Sequence, residues 1–394
     1  MNNYHNFKKL YYFIKKRQNK NIKINNKYYY YFYKILSLLF IINNILLILF
    51  KYIDKYEKYE NFLKYCNKST LLKIMHKQIP KISIISPIYN REKYILRFLI
   101  SIQSQDFKEI EIILIDDFSL DNSSALIEKY QKKDERIILI KNKKNKGTFI
   151  CRNIGALYSK GQYIILPDPD DIITEEILKY LYNYSVKYKY EMIRFNMYIG
   201  NKRVFNNNFN SLEKRAIFQP ELSTYLFHGK KRLQLLDYNV CNKFIKREAY
   251  IRAIYNIPKF CINQYMIIAE DQIMNYILYR VVKSFIFINK IGYYYIKNKQ
   301  SVTLNVQEIS EQRLKSWFIY LKIVFHISKS NEYEKIMANE LLNIIINKFN
   351  FKHNLKFFKK EKMFYNDIIK LYIDCKYITN KNKIILKNLM NIIV

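Results

Sequence analysis

The sequence predicts an α/β protein with a mostly parallel central sheet, flanking helices and a ligand site at the carboxyl ends of the strands. Three observations predict it. Short β-branched runs (ISIISPI from Ile82, EIIL within 111–114, RIILI from Arg136, QYIILP from Gln162) recur between stretches of helical spacing. That alternation requires crossover connections, which set consecutive strands parallel. Aromatic and acidic residues collect where the strands end, at Tyr89, at Asp116 and Asp117, and at Asp168, Asp170 and Asp171, the edge at which open α/β sheets bind ligands.

Residues 1–34 form a basic tail with many lysines, one arginine and no acid. The apolar run Ile35 to Phe50, ILSLLFIINNILLILF, follows, with Asn43 and Asn44 at its centre. A basic flank before such a run and acids after it (Asp54, Glu57, Glu60) predict a transmembrane signal anchor with a cytosolic N terminus. This would be a single-pass membrane protein, suited to the Golgi or ER; a run that fails to span leaves the chain cytosolic. Residues 51–80 read as a stem.

From residue 81 to about 305 the strand and helix texture defines the main domain. Helices are expected at about 91–104, 121–132, 148–159 and 173–188, the second with Asp121, Asn122 and Ser123 as candidate caps. Residues 190–300 are less regular, and 306–394 read as a helical C-terminal region without recognisable chemistry.

Sixty-eight Lys plus Arg against 33 Asp plus Glu give a formal charge of +35. The excess is spread along a chain crowded with Lys, Asn, Ile and Tyr, with no arginine-rich groove motif and no aromatic ladder, so no nucleic-acid partner is expected. Five cysteines, widely spaced and without a C-x-x-C pair, argue against a disulfide scaffold or a zinc site.

The chemistry gathers at the strand ends. An acidic pair such as Asp116 and Asp117 can accept from a base N–H or from ribose hydroxyls, and Tyr89 can stack on a base; the same residues also suit turns and caps. Asp168, Asp170 and Asp171 repel one another unless a hard cation joins them, and such a cation keeps positions open for phosphate oxygens. Lys146 and Arg152, around a helix start, can reach a diphosphate. Asp271, in Ala269-Glu270-Asp271, can serve as a general base.

Taken in order and spacing, ISIISPIYN, IDDFSLD, NKG, CRNIGA, LPDPDD, NKFIKR and AED resemble the family 2 glycosyltransferases of the GT-A fold, over roughly Lys81 to Leu304. The resemblance implies that Asp117 contacts the nucleotide base, Asp168 the ribose, Asp170 a manganese or magnesium ion, and Asp271 the acceptor hydroxyl as base. Asp171 could replace Asp170 as ligand. Pro87, Tyr89, Lys146, Arg152 and Lys243 would complete the donor side. The implied reaction moves a sugar, most often from a UDP-sugar, to a glycan, protein or lipid hydroxyl with inversion.

One departure matters. Where members often carry an Arg and a His in a segment ending in Ser, residues 295–301 have Ile296 and Asn298, which motivates a rival reading as a non-catalytic nucleotide-sugar-binding protein. Cys241 stands where an aromatic acceptor contact is frequent. A nucleotidyltransferase would need a glycine- and basic-rich signature after the first strand, and a dinucleotide oxidoreductase G-x-G-x-x-G; neither is present.

Overall fold

A computed structural model describes residues 80–200, 202–204, 215–219, 239–262, 264–297, 311–327 and, nearer the C terminus, 366, 369–370, 373 and 380–393. The tail at 1–34, the run at 35–50 and all of the stem but Pro80 lie outside the described residues.

Strands β1 (Ile82–Ile88) and β2 (Ile110–Asp116) are buried along their whole length, which is why they read as unbroken apolar runs and not as alternating ones. They pair in parallel with Ile84 opposite Ile112 and Ile88 opposite Asp116. β3 (Ile137–Lys141) lies parallel on the far side of β2, and β4 (Tyr163–Ile165) parallel on the other side of β1. Helices α1 (Glu92–Gln103), α2 (Ser123–Gln131) and α3 (Thr148–Tyr158) make the crossovers. The strand order therefore reverses between β1 and β4, the switch point at which a crevice opens.

After β4 come β5 (Ile172–Ile173), α4 (Ile177–Tyr188), β6 (Met192–Ile199), β7 (Lys202–Val204), β8 (Ile217–Phe218) and β9 (Lys243–Lys246). Helices α5 (Arg247–Tyr255) and α6 (Glu270–Val281), then β10 (Ser284–Tyr295), α7 (Glu311–Ile327) and α8 (Asn380–Ile393), complete the described elements. The sheet runs β3-β2-β1-β4-β9-β6-β10-β5.

The sheet is mixed, which corrects the expectation of a mostly parallel one. β9 runs against both neighbours, β4 and β6, and β5 runs against β10, while β6 and β10 are parallel. β9 is too short to show a period, and no helical crossover pattern precedes it, so its direction was not readable. The described residues beyond 306 are helical.

Among the described residues no helix is long and apolar enough to cross a membrane. This overturns the expected single-pass membrane placement, and the Golgi or ER location falls with it. The run Ile35 to Phe50 lies outside the described residues, and it is shorter than the ~20 apolar residues a bilayer core requires.

Successive β1 residues point to opposite faces of the sheet. Ile85 lies in the core cluster that includes Ile154 of α3, Tyr250 of α5, Tyr276 of α6 and Phe318 of α7; Ile84 lies in the one that includes Phe98 and Leu99 of α1 and Leu178 of α4. α3 sits close on the sheet because residue 155, in its second half, is glycine. A Cβ there would stand 2.9 Å from Ile115 Cδ1 and closer still to Ile85 Cγ2. Gly155→Ala should gain about 1 kcal/mol of helix propensity and lose ~1–3 kcal/mol to overpacking. The expected net effect is a lower urea midpoint, opposite to a glycine-to-alanine change in an open helix.

Candidate active site

The loops leaving β1 and β2 are tied together. Asn90, at φ 52°, donates its N–H to Ser119 Oγ (3.1 Å) and accepts from Leu120 N–H at Oδ1 (2.9 Å). Asp121 serves two helix starts: its Oδ1 accepts from Ser123 N–H at the start of α2 (3.0 Å) and its Oδ2 from Glu92 N–H at the start of α1 (3.0 Å), while Glu92 accepts from the Asn122 side-chain amide (2.9 Å). Tyr89 and Phe118 are left exposed on the rim, and Phe118 also has a positive φ of 68°.

Asp117 is buried and works as a staple. Its Oδ1 accepts from Asn142 Nδ2 (2.7 Å) and Lys146 N–H (2.8 Å), and its Oδ2 from Gly147 N–H (2.7 Å). The β2 end thus fixes the loop that opens α3. Gly147 takes φ 86°, and a Cβ there would meet Met266 O at 3.2 Å and the Tyr265 ring at 3.4 Å. Tyr265 therefore stands at the same edge, exposed, with Tyr89 and Asp117 close enough to influence its hydroxyl. It lies in a segment without periodicity and carries no sequence signal. Burial and the neighbouring Lys144 bring the Lys146 ammonium down to about 8, against the pull of Asp117. Pro87, within β1, is buried and pairs with Ile115.

α3 delivers Arg152 between two carboxylates from distant parts of the chain. Its Nη2 donates to Asp168 Oδ1 (2.6 Å), just after β4, and its Nη1 donates to Asp271 Oδ1 in the first turn of α6. The Arg152 side chain is 5% exposed, those of Asp168 and Asp271 30% and 22%. Asp271 Oδ2 accepts from Val240 N–H at 3.3 Å. Burial raises the Asp271 carboxyl above its ordinary range while Arg152 opposes the rise. Burial and Asp271 push its neighbour Glu270 up to about 7. Ala269, just before them, has φ 65°, a left-handed conformation costing an alanine about 1 kcal/mol.

The acidic turn divides its labour. Asp171 is 1% exposed, and both its oxygens are taken, Oδ2 by the Tyr293 hydroxyl (2.7 Å) and Oδ1 by Ile296 N–H (2.8 Å). Burial and Asp168 push its carboxyl up to about 8. Asp171 is therefore an internal acceptor, a poorer metal ligand than the sequence suggested. Asp170 accepts from Arg97 Nη2 at its carbonyl (2.6 Å), and its Oδ2 lies 4.0 Å from Arg91 Nε. The described residues hold no cluster of three metal-ligating side chains. The donor set still fits a hard cation, because manganese- and magnesium-type sites at phosphates use one or two carboxylates and take the rest from phosphate and water. Asp170 and Asp168 are the partly exposed carboxylates of the turn that qualify.

Lys243 is fully buried, and its Nζ donates to the Asn239 carbonyl. It lies near Asp271, whose charge it helps to stabilise, and it is not the open phosphate contact expected. Cys241 is buried among the carboxylates, with its thiol pushed up by burial and by Asp168, Asp171 and Asp271. Ile296 contributes its backbone N–H; Asn298 lies outside the described residues. Tyr293, Arg97 and Tyr265 are site residues that the motifs did not mark.

The model of glycosyl transferase family 2 matches residues 83–253, which span β1, the Asp117 staple, Arg152, the acidic turn and β9. These residues form a family 2 glycosyl transferase domain. The glycosyltransferase GlyA of Streptococcus pneumoniae is 26% identical over 227 residues, 57% of this chain and 31% of GlyA. GlyG of the same organism is 37% identical over 101 residues, 26% of this chain and 34% of GlyG. The chain thus spans about a third of the length of these curated relatives. Among solved structures, Staphylococcus aureus TarS 1–349 in complex with UDP-GlcNAc superposes with a TM-score of 0.58 at 19% identity, covering 79% of this chain and 88% of that one. That likeness shows the GT-A fold of the family 2 domain.

Removing Arg152 would leave the Asp168 and Asp271 carboxylates facing each other. Arg152→Met should cost about 2–3 kcal/mol in urea denaturation at neutral pH, after allowance for the partial exposure of both acids. Because burial already raises the Asp271 carboxyl and Arg152 opposes that rise, Asp271 would titrate higher still in the folded variant, so the deficit should shrink as pH falls.

Proposed function

We propose that this chain is a transferase that moves a sugar from a nucleoside diphospho-sugar to an acceptor hydroxyl, inverting the anomeric carbon, with a divalent cation at the donor. The observation that carries this reading is the Arg152 bridge between Asp168, at the nucleotide edge, and Asp271, at the start of α6. A donor-side and an acceptor-side carboxylate are held in one ion network. The family 2 match supports the transferase class, and the UDP-GlcNAc held by TarS makes a UDP-sugar the first donor to test.

On this reading Tyr89 stacks on the base, beside Pro87, and Asp117 acts by ordering the loop around Lys146 and Gly147. Asp168 meets the ribose. Lys146 attracts the diphosphate. Asp170, with Asp168, would hold the cation, which when bound neutralises charge on the departing diphosphate. Asp271 takes the proton from the attacking hydroxyl; its burial raises basicity while Arg152 opposes the rise. The hydroxyl oxygen bonds to the anomeric carbon from the face opposite the diphosphate, and the breaking C–O bond leaves its electron pair on the diphosphate oxygen. Lys243 contributes through Asp271 and not through the donor.

The test is transfer and hydrolysis from a panel of nucleotide sugars with manganese. Asp271→Asn should lower turnover ~10²–10⁴-fold with little change in donor affinity, whereas Asp170→Asn should remove the manganese-dependent part of donor binding. A folded wild-type chain that binds no nucleotide sugar overturns the reading. Binding without turnover would make it a nucleotide-sugar-binding protein.

Donor affinity should also fall as pH rises through about 8, because Lys146 loses its proton there. Lys146→Met should weaken donor binding ~10–100-fold at pH 7, the scale of one charge-assisted contact, and abolish the pH step in calorimetric titrations.

A further inference from the structure

The acidic turn needs a reason to keep its shape. Its carboxylates Asp168, Asp170 and Asp171 fall within four residues and repel one another. Arg152 and Arg97 each hold one point of it. Tyr293 does something neither arginine can. Its hydroxyl accepts the backbone N–H of Asp168 (3.0 Å) and donates to Asp171 Oδ2 (2.7 Å). One oxygen thus spans the first and last residues of the turn, a role open to a hydroxyl, which both accepts and donates.

The fold spends several features on placing that hydroxyl. β10 shifts register against β6 between Ile288 and Ile291 and again between Ile291 and Tyr293, an irregularity of the kind that re-aims a side chain. Gly292 lets the strand pass tightly at this point: a Cβ would stand 2.8 Å from both Ile177 Cδ1 and Phe195 Cδ2. Tyr293 itself is fully buried, and its backbone pairs with Ile173 in β5, the strand that directly follows the turn. Two residues on, β10 ends at Tyr295, and the N–H of the next residue, Ile296, closes the second bond to Asp171.

We infer that Tyr293 is a positioning residue for the donor diphosphate and its cation, acting through the turn that carries Asp168 and Asp170. The inference rests on the proposed reading of those two carboxylates. It assigns Asp171 the role of anchor for this clamp and explains why the last acid of the turn is sequestered.

Tyr293→Phe removes one oxygen atom and keeps the ring. With UDP as probe, the variant should need ~10–100-fold more manganese to reach half-maximal UDP affinity, the usual penalty for losing a group that orients metal ligands. UDP affinity without metal should change less than twofold. Asp171→Asn keeps an acceptor for one of the two bonds and should fall between wild type and Tyr293→Phe, which gives a second reading should the phenylalanine variant fold poorly. Tyr294→Phe, one residue on, exposed and stacked on Tyr198, should match wild type. If wild type responds to manganese and both Tyr293→Phe and Asp171→Asn respond identically to it, the positioning role is overturned while the proposed function stands. If UDP affinity in wild type ignores manganese, the metal reading fails and this inference falls with it.

Discussion

A single guanidinium holds together groups that would otherwise push apart. Arg152 enters the crevice from α3 and neutralises Asp168 and Asp271, which arrive from β4 and from α6. It can do so because α3 lies unusually close to β1 and β2 at Gly155, and because the Asp117 staple sets where the helix begins. A planar fork with several donors suits two carboxylates at once, where lysine would offer a point charge. The packing of one glycine, the loop before the helix and the ion network are therefore parts of one constraint.

Strain gathers at the same place. Asn90, Phe118, Gly147 and Ala269 all have positive φ, and they stand respectively after β1, after β2, before α3 and before α6. Three of them are not glycine, so their conformations are held by surrounding contacts such as the Asn90 bonds to the 119–120 loop. Chain ends that turn this sharply leave Tyr89 and Phe118 exposed at the rim and bring the first turn of α6 against Arg152. The site is assembled from strand and helix termini on a rigid sheet, which is how a fold supplies fixed groups without spending its core.

The +35 charge plays little part in this arrangement. The cations that matter are few and specific: Arg152, buried between two acids; Lys146, depressed by burial beside Asp117; and Lys243, turned inward to a carbonyl. Among the described residues most of the remaining lysines lie exposed or half-exposed at the surface.

By itself the sequence determined the parallel half of the sheet, the order of its motifs and the identity of nearly every carboxylate at the crevice. Those are local properties: β-branched runs buried on both faces, helical spacing between them, and polar residues where strands must stop. It did not determine the antiparallel insertion of β9, because four residues show no period, nor which of three adjacent aspartates would be internal. That depended on Tyr293, far along the chain, reaching back to the turn. Likewise Asp117 was legible as an acid at a strand end but not as a staple for the 142–147 loop, and Lys243 as a basic residue but not as a buried one. Residue type is written in the chain; the direction of a side chain and the identity of its partner depend on contacts between segments distant in sequence, and only the tertiary structure decides those.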